Sequence, residues 1–438
     1  MASEADFKPL GDLCDPERGI TYGIVKVGDY VEGGVPVIRG GDIREGRIVF
    51  DGEKRVTEEV SQQFKRTILR GGEILVNLIA EPGHTAIVPP ALAGANVSRD
   101  VAVIALNDQV DHKYVDYCLK SPMAVNWLRA RLQGSVTQKI NLGTLRDLPI
   151  PTRPRNEQRA IAHVLGTLDR KLELNRMMNE TLAAIARALF KSWFVDFDPV
   201  RAKAEGRNCG LPKSIADLFP DSFAPSEKGE IPSGWQLKPI GELAAVNGGS
   251  TPSTKEPSYW EGGTHFWATP KDLSALKTPI LLDTERKITN AGLAQISSGL
   301  LPAGTVLMSS RAPIGYLAVA EVPVAINQGF IAMKAAVGVS NLFLLRWVEW
   351  AHDLIVSHAN GSTFLEISKS SFRPILVVTP PAPVMKEFDR IVRPLFERMV
   401  CNERSSRTLA NIRDTLLPRL ISGELRIPDA ERIVGGHV

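Results

Sequence analysis

The chain contains itself twice. Gly134, Ser135, Ile140, Leu148, Thr152, Pro154, Leu168, Asn175, Thr181, Leu182, Ala183, Ile185 and Leu189 reappear 227 residues later. Their mates are Gly361, Ser362, Ile367, Ile375, Thr379, Pro381, Leu395, Asn402, Thr408, Leu409, Ala410, Ile412 and Leu416. A repeat this long sets the architecture before any element is assigned. It also implies two similar sites on one polypeptide, presented as a homodimer would present them. Upstream the echo is weaker and the shift drifts to about 230 as loops differ in length. Pro9 to Leu13 matches Pro239 to Leu243, Asp42-Ile43 matches Asp272-Leu273, and Gly72 to Leu75 with Ala80 and Gly83 matches Gly304 to Leu307 with Ala312 and Gly315. The repeat unit is therefore a half-protein: a mixed, strand-rich segment followed by a long helix.

The helices are the best-defined pieces. From Pro154 to about Val195, apolar residues fall at Ile161, Leu165, Leu168, Leu172, Leu182, Ala186, Leu189 and Trp193, the alternating spacing of a heptad seam, with polar gaps at Asn175 and Asn179. The second seam reads Phe388, Val392, Leu395, Met399, then Asn402 and Ser406, then Leu409, Leu416 and Leu420, with a break at Arg413. Each follows a proline-rich stretch, Pro149 to Pro154 and Pro380 to Pro383, which suits a helix start, and Ser422-Gly423 is a stop signal for the second. A helix of about 40 residues is about 60 Å long and needs a partner. The simplest partner is its own copy, as an antiparallel coiled coil in which Asn175 and Asn402 fix register. The alternative, each helix packing on its neighbouring sheet with the asparagines solvated, stays open. Between helix and second domain, residues 197–233 read as a linker, with proline and glycine in quick succession.

Composition bounds the function class. With 438 residues the expectation is about three domain-sized units, and 44% hydrophobic content is ordinary for a globular chain. There is no apolar run of membrane-spanning length and no secretory signal in the first fifteen residues, so the expected location is cytoplasmic. Cys14, Cys118, Cys209 and Cys401 lack metal-ligand spacing and read as reduced bystanders. A net charge of +3 permits a nucleic-acid partner without requiring one.

Several runs carry a resemblance. Leu148 to Ala162 with its Glu157-Gln158 pair, Leu172 to Leu182, and Ala188 to Pro199 are similar to the central helical region of type I restriction-modification specificity subunits. Ile231 to Trp235 and Leu416 to Leu425 resemble that family's second-domain start and C-terminal helix end. The second copy departs from the pattern, with Val384-Met385-Lys386 where a Glu-Gln pair is common. The resemblance covers nearly the whole chain. It implies an α+β protein with target-recognition domain 1 over residues 1–150, a central spacer helix over 151–196, a linker over 197–233, target-recognition domain 2 over 234–378, a C-terminal spacer helix over 379–424 and a tail over 425–438. It further implies a non-catalytic subunit in which each domain reads one half of a bipartite site on double-stranded DNA. The helices would set the spacer and dock two DNA methyltransferase subunits, and restriction subunits would join that core. S-adenosylmethionine, ATP and magnesium would belong to those partners, leaving no cofactor here.

The residues point away from catalysis on their own. A Gly-rich donor site and an Asn/Asp-Pro-Pro-aromatic motif for an extruded base are both missing, Thr379 to Ala382 being the nearest string, and no phosphate loop occurs. The seven histidines make no i, i+4 pair and no cluster with cysteine, so no metal site is expected.

Base edges are read by Arg, Lys, Asn, Gln and Thr, and phosphates by cations and hydroxyls. The first domain offers Arg39, Asp42, Arg44, Asn77, Ser98, Arg99, Gln138 and Lys139. At matched positions the second offers Trp267, Thr269, Lys271, Asp272, Ser310, Arg311, Asn327 and Gln328. Any one of these is more often a loop residue satisfied by backbone or water, and Trp267, like Tyr259 and Trp260, is more often packing than a stacking platform. The set stands because both copies place polar loops at matching points. Leu165, Leu168, Leu172, Asn175, Leu182, Leu189, Val392, Leu395, Met399, Asn402, Leu409 and Leu416 are the expected seam and docking residues. Trp193 and Phe194 are expected to pack on the linker or join a docking surface. Two other classes remain at this stage: a methyltransferase or nuclease with unfamiliar motifs, and a stand-alone DNA-binding or protein scaffold.

Overall fold

The computed structural model describes residues 6–437 except 27, 29, 51, 53, 135–136 and 362–364. It divides into two compact units, Met1–Glu173 with Arg407–Val438, and Leu174–Ser406. The division cuts both long helices, Arg155–Phe194 and Ala382–Ser422.

In the first unit, Asp6–Pro9 pairs antiparallel with Pro149–Thr152. A four-stranded antiparallel sheet runs in the order Ile20–Tyr22, Val101–Ile104, Ile74–Asn77, Thr85–Ile87. A smaller sheet sets Val35–Ile38 between antiparallel Arg55–Val56 and parallel Asn96–Val97. The second unit repeats this plan. Gln236–Pro239 pairs antiparallel with Leu376–Thr379, and a five-stranded sheet runs Ala244–Asn247, Phe330–Ala335, Val306–Ser310, Ile314–Ala320, Ile280–Leu281. The smaller sheet sets His265–Ala268 between antiparallel Arg286–Ile288 and parallel Val324–Ile326.

The two copies agree in register as well as order. Asp6 faces Thr152 as Gln236 faces Thr379, and Ile38 faces Val97 as Ala268 faces Ile326. One close approach is shared too. A Cβ on Gly23 would lie 1.8 Å from the Val97 carbonyl oxygen, and one on Gly249 1.9 Å from that of Ile326, so only glycine lets the backbone pass there.

Each unit buries its helix halves in its own core. In the first, Ile161, Leu165 and Leu168 join Leu409, Leu416 and Leu420 in one apolar cluster with strand residues Ile74, Val76 and Ile104. In the second, Ala186, Phe190 and Trp193 join Phe388, Val392, Phe396 and Met399 around Phe343 and Met308. Phe190 lies 5.5 Å from Phe343 and 6.2 Å from Phe388, so helix-to-helix and helix-to-domain packing share one core. Truncating Phe388 there should cost about 3–5 kcal/mol.

Within each unit the helix halves pass in opposite directions. Arg153, just before the first helix, donates to the Ile421 carbonyl at the end of the second, at 3.1 Å, and Asp169 pairs with Arg413 at 2.9 Å. The break at Arg413 is thus filled by an ion pair, with the Tyr117 hydroxyl also donating to Asp169 at 2.5 Å. Burial opposes the Arg413 charge, but the Asp169 and Asp414 carboxylates outweigh it and raise its pKa. In the second unit the asparagine gaps are buried and interlocked. Asn175 donates to Ser406 Oγ at 3.1 Å and Asn402 to Asn179 Oδ1 at 2.8 Å. Asn402 is the mate of Asn175, and Ser406 the mate of Asn179. One contact is therefore made twice, the isologous pattern of a two-fold contact.

Four expectations change in detail. Leu395 is only half-buried, because the neighbouring Phe396 takes the core position. Leu172, Leu182 and Leu189 are half-buried too, at the flanks of the seam. The 197–233 stretch is ordered. It carries helix Asp198–Ala204 and a hairpin of Phe223–Ser226 with Gly229–Pro232, and its Phe219 stacks edge-on to Trp193 at 5.0 Å. Trp193 and Phe194 therefore pack on this segment and are buried. The 425–438 stretch includes an amphipathic helix, Ile427–Gly435, that buries Ala430 and Val434 in the first core. At the helix starts, Gln158 donates to the Arg153 carbonyl and accepts from the Asp111 amide, both at 2.8 Å. The departure in the second copy replaces those polar contacts with burial of Val384 and Met385.

Candidate functional site

In the first unit four polar loops meet at one end of the sheets. Val35–Ile38 and Asn96–Val97 run parallel, so their following residues leave side by side, and the Ser98 amide donates to the Ile38 carbonyl at 2.9 Å. The chain after Ile38 turns at once: the Arg39 amide donates to Asp42 Oδ2 and the Gly40 amide to Asp100 Oδ2, each at 2.8 Å. Asn77, ending its strand, lies against Gly40, where a Cβ would sit 2.4 Å from Asn77 Oδ1. The fourth loop closes over these. The Leu78 amide donates to the Asp100 carbonyl at 2.7 Å and the Ala80 amide to the Gln138 carbonyl at 3.2 Å, while Lys139 bridges both Ile79 and Gln133.

All eight first-domain candidates therefore come together, in two roles. Asp42, Asn77 and Ser98 are buried and hold the loops through backbone hydrogen bonds. Arg44, Arg99, Gln138 and Lys139 are exposed, and Arg39 is half-buried. Asp100, which the sequence reading did not single out, ties three of the loops. Its only sequence signal is the short Ser98-Arg99-Asp100 turn, whose Ser98 hydroxyl donates to the Asp100 carboxylate.

The second unit builds the same junction with other chemistry. The Asn327 amide donates to the Ala268 carbonyl at 3.0 Å, and Thr269 donates to Asp272 Oδ2 through its amide at 2.7 Å and its hydroxyl at 2.6 Å. Asp272 Oδ1 also accepts from the Glu285 amide at 2.7 Å. The Ser310 amide donates to the Gly329 carbonyl at 2.8 Å, and the Ile367 amide to the Ser310 carbonyl at 3.0 Å. Arg311 bridges Glu366 as Ile79 bridges Lys139. Gln328 and Lys271 are exposed, while Thr269, Asp272, Arg311 and Asn327 are partly so. Gln328 accepts from the Thr251 hydroxyl at 2.5 Å. The hydrogen bond to Glu285, and that carboxylate's charge, raise the Lys271 pKa.

Ser310 and Trp267 are buried. Trp267 corrects the stacking reading. Its indole lies edge-on to Trp260 at 5.0 Å and donates to the Ser250 carbonyl at 3.3 Å, so its face is not available to a base. The inward position follows from strand alternation, which places it opposite the pleat from Phe266.

Among the described residues no group of three His, Cys, Asp or Glu side chains could hold a metal ion. Burial pushes the Cys14 and Cys118 thiols up to about 12, which leaves them poor nucleophiles. Among the described residues, no helix is long and apolar enough to cross a membrane.

The chain belongs to a family described as the type I restriction modification DNA specificity domain, which matches it twice, at residues 3–184 and 232–399. It is 26% identical over 430 residues to the type I restriction enzyme MjaIX specificity subunit of Methanocaldococcus jannaschii, covering 97% of this chain and 94% of that protein. It is 26% identical over 436 residues to the HindI specificity subunit of Haemophilus influenzae, covering 89% and 94%. Its fold is similar to the crystal structure of a type I restriction-modification S subunit from M. genitalium, with a TM-score of 0.56 at 16% identity over 95% of this chain and 96% of that one.

Proposed function

We infer that this chain is the DNA sequence-specificity subunit of a type I restriction-modification complex, a non-catalytic protein that reads a bipartite target. One observation carries the reading: two copies of a DNA specificity domain assemble polar loops at the same four places in the fold. In the first half-site reader, residues 1–150, Arg39, Arg44, Arg99, Gln138 and Lys139 meet the DNA while Asp42, Asn77 and Ser98 position them. In the second, residues 234–378, Thr269, Lys271, Arg311, Asn327 and Gln328 take that part, held by Asp272 and Ser310.

Residues 151–196 and 379–424 form the spacer as an antiparallel coiled coil and dock two DNA methyltransferase subunits, to which restriction subunits add. Residues 197–233 join the halves, and 425–438 brace the first. The methyl donor, ATP and magnesium belong to the partners, so the reaction chemistry lies outside this chain. Its contribution is to hold two base-reading surfaces at a fixed separation, converting two short matches into one long one.

Co-expression with a type I methyltransferase subunit, followed by methylation mapping over random DNA, tests this. Two short sequences separated by a gap of fixed length are the expected result. Methylation without sequence preference, or at one uninterrupted site, would overturn it.

A further inference from the structure

The strand beside each candidate junction carries two consecutive cations in both copies. In the second unit Arg286–Ile288 is the edge strand of the small sheet, with Trp267 opposite Arg286 and Phe266 opposite Lys287. In the first, Arg55–Val56 is the edge strand, with Pro36 opposite Arg55 and the Val37 amide donating to the Lys54 carbonyl at 3.0 Å. Aligning the sheets by their registers places Lys54 on Arg286 and Arg55 on Lys287. Two domains that have lost most of their sequence likeness thus keep a cationic pair at one edge.

The pair in the second unit is exposed and held in place. The Arg286 guanidinium carbon lies 3.6 Å from the Trp260 ring centroid, and the Lys287 ammonium 4.8 Å from that of Phe266. Neither cation has a carboxylate partner among the described residues, although the adjacent Glu285 pairs with Lys271 at 2.7 Å. Stacking removes side-chain freedom and leaves the charges outward. Alternation along the strand sends the two cations to opposite faces of a thin edge. That arrangement suits the two flanks of a groove better than one base pair. In the first unit Arg55 is likewise tethered, donating to the Gly34 carbonyl at 2.9 Å. The central strand of each small sheet runs directly into the junction, at Arg39 and at Thr269, so these cations border the base-reading loops.

We propose that Arg286 and Lys287, with Lys54 and Arg55 in the first copy, are backbone-phosphate contacts that set the depth and orientation of DNA against the reading loops. This rests on the specificity-subunit reading above and adds to it a division of labour. The edge strands grip phosphates, which carry no sequence information, and the loops read bases.

The test compares Arg286→Ala with Lys287→Ala as a double variant against the charge-preserving pair Arg286→Lys with Lys287→Arg, each in the assembled methyltransferase complex. Loss of two phosphate contacts should lower the slope of log affinity against log salt by about 2 and weaken binding to cognate and random duplexes alike. The preserving pair should keep the wild-type slope, and the methylated sequence should be unchanged in both. Lys54→Ala with Arg55→Ala should behave as the second-copy alanines do. An unchanged slope in the alanine double, with the complex intact, would overturn the proposal, as would a changed target sequence, which would make these residues base readers. If wild-type complex methylates without sequence preference, the underlying functional reading has failed instead.

Discussion

Lys139 in the first copy and Glu366 in the second occupy the same place in the fold, each bridging to the turn after the central strand of the large sheet. Arg99 and Gln328 likewise share a place, one residue beyond the matched Ser98 and Asn327. The first junction exposes Arg44, Arg99 and Lys139, none with a carboxylate partner among the described residues. The second pairs its cations internally, Lys271 with Glu285 at 2.7 Å and Arg311 with Glu366 at 3.5 Å, and adds the amides of Asn327 and Gln328. One backbone thus presents mainly charge in one copy and mainly neutral hydrogen-bonding groups in the other. Loop side chains are free to diverge in this way because the hydrogen bonds that shape the junction are largely backbone ones, indifferent to the side chain carried.

The sharpest way to break this comparison is to exchange a whole reader. With residues 7–147 replaced by the corresponding domain of another specificity subunit, methylation mapping should show one half of the target switched completely, with the other half and the spacer kept. A change in both halves would show that the readers are not independent.

A second test concerns the scaffolds. Glu73 pairs with the buried Arg18 at 2.7 Å and accepts from the Arg70 and Gly71 amides, whereas its mate Thr305 only donates to the Pro302 carbonyl at 2.7 Å. Glu73→Ala should lower the opening free energy of the Ile74–Asn77 amides by about 3 kcal/mol in hydrogen exchange, because it strands a buried guanidinium. Thr305→Ala should lower that of Val306–Ser310 by about 1 kcal/mol. Burial alone would raise the Glu73 carboxyl, but the Arg18 guanidinium and the backbone amides hold it below the usual range. Its contribution is therefore complete above the unfolded value of about 4.3 and is lost as pH falls through the lower folded value. Acid should loosen the first unit's strand by this route, and Thr305 gives the second no counterpart. Equal acid sensitivity at the two strands would refute the distinction.

Salt gives a third, smaller effect. Alanine at Arg44, Arg99 and Lys139 together should reduce the salt slope of DNA binding by up to about 3, while alanine at Lys271 and Arg311 should reduce it by less than about 1, since each already has a carboxylate beside it. Similar slopes would mean that the second unit's ion pairs open on DNA.

The smallest difference lies in the polar layer of the helices. Asn402→Leu removes a 2.8 Å bond and leaves Asn179 Oδ1 buried and unpaired, so denaturation should show a loss of about 1–2 kcal/mol. Asn175→Leu should cost less, because its bonds run from 3.1 to 3.5 Å. The reverse order would mean that the printed lengths do not rank the two halves of this contact.

The repeat, the long helices and their asparagine gaps were legible in the sequence, because 227-residue self-similarity and a seam of period 3.5 are properties of one chain read in order. The polar loops were legible as a set for the same reason, each being matched by its mate. Individual side-chain roles were not. Whether Asn77 and Ser98 face solvent or tie loops, whether Trp267 stacks or fills a core, and whether Arg413 interrupts a seam or pairs with Asp169 depends on neighbours tens to hundreds of residues away. The same holds for the stretch around Phe219: its prolines and glycines read as a linker, yet it folds over Trp193 because an apolar surface on another element was waiting to be covered. Local spacing determined which elements form and repeat. Burial and long-range hydrogen bonding, which have no local signature, decided which polar residues hold the loops and which are left to meet a partner.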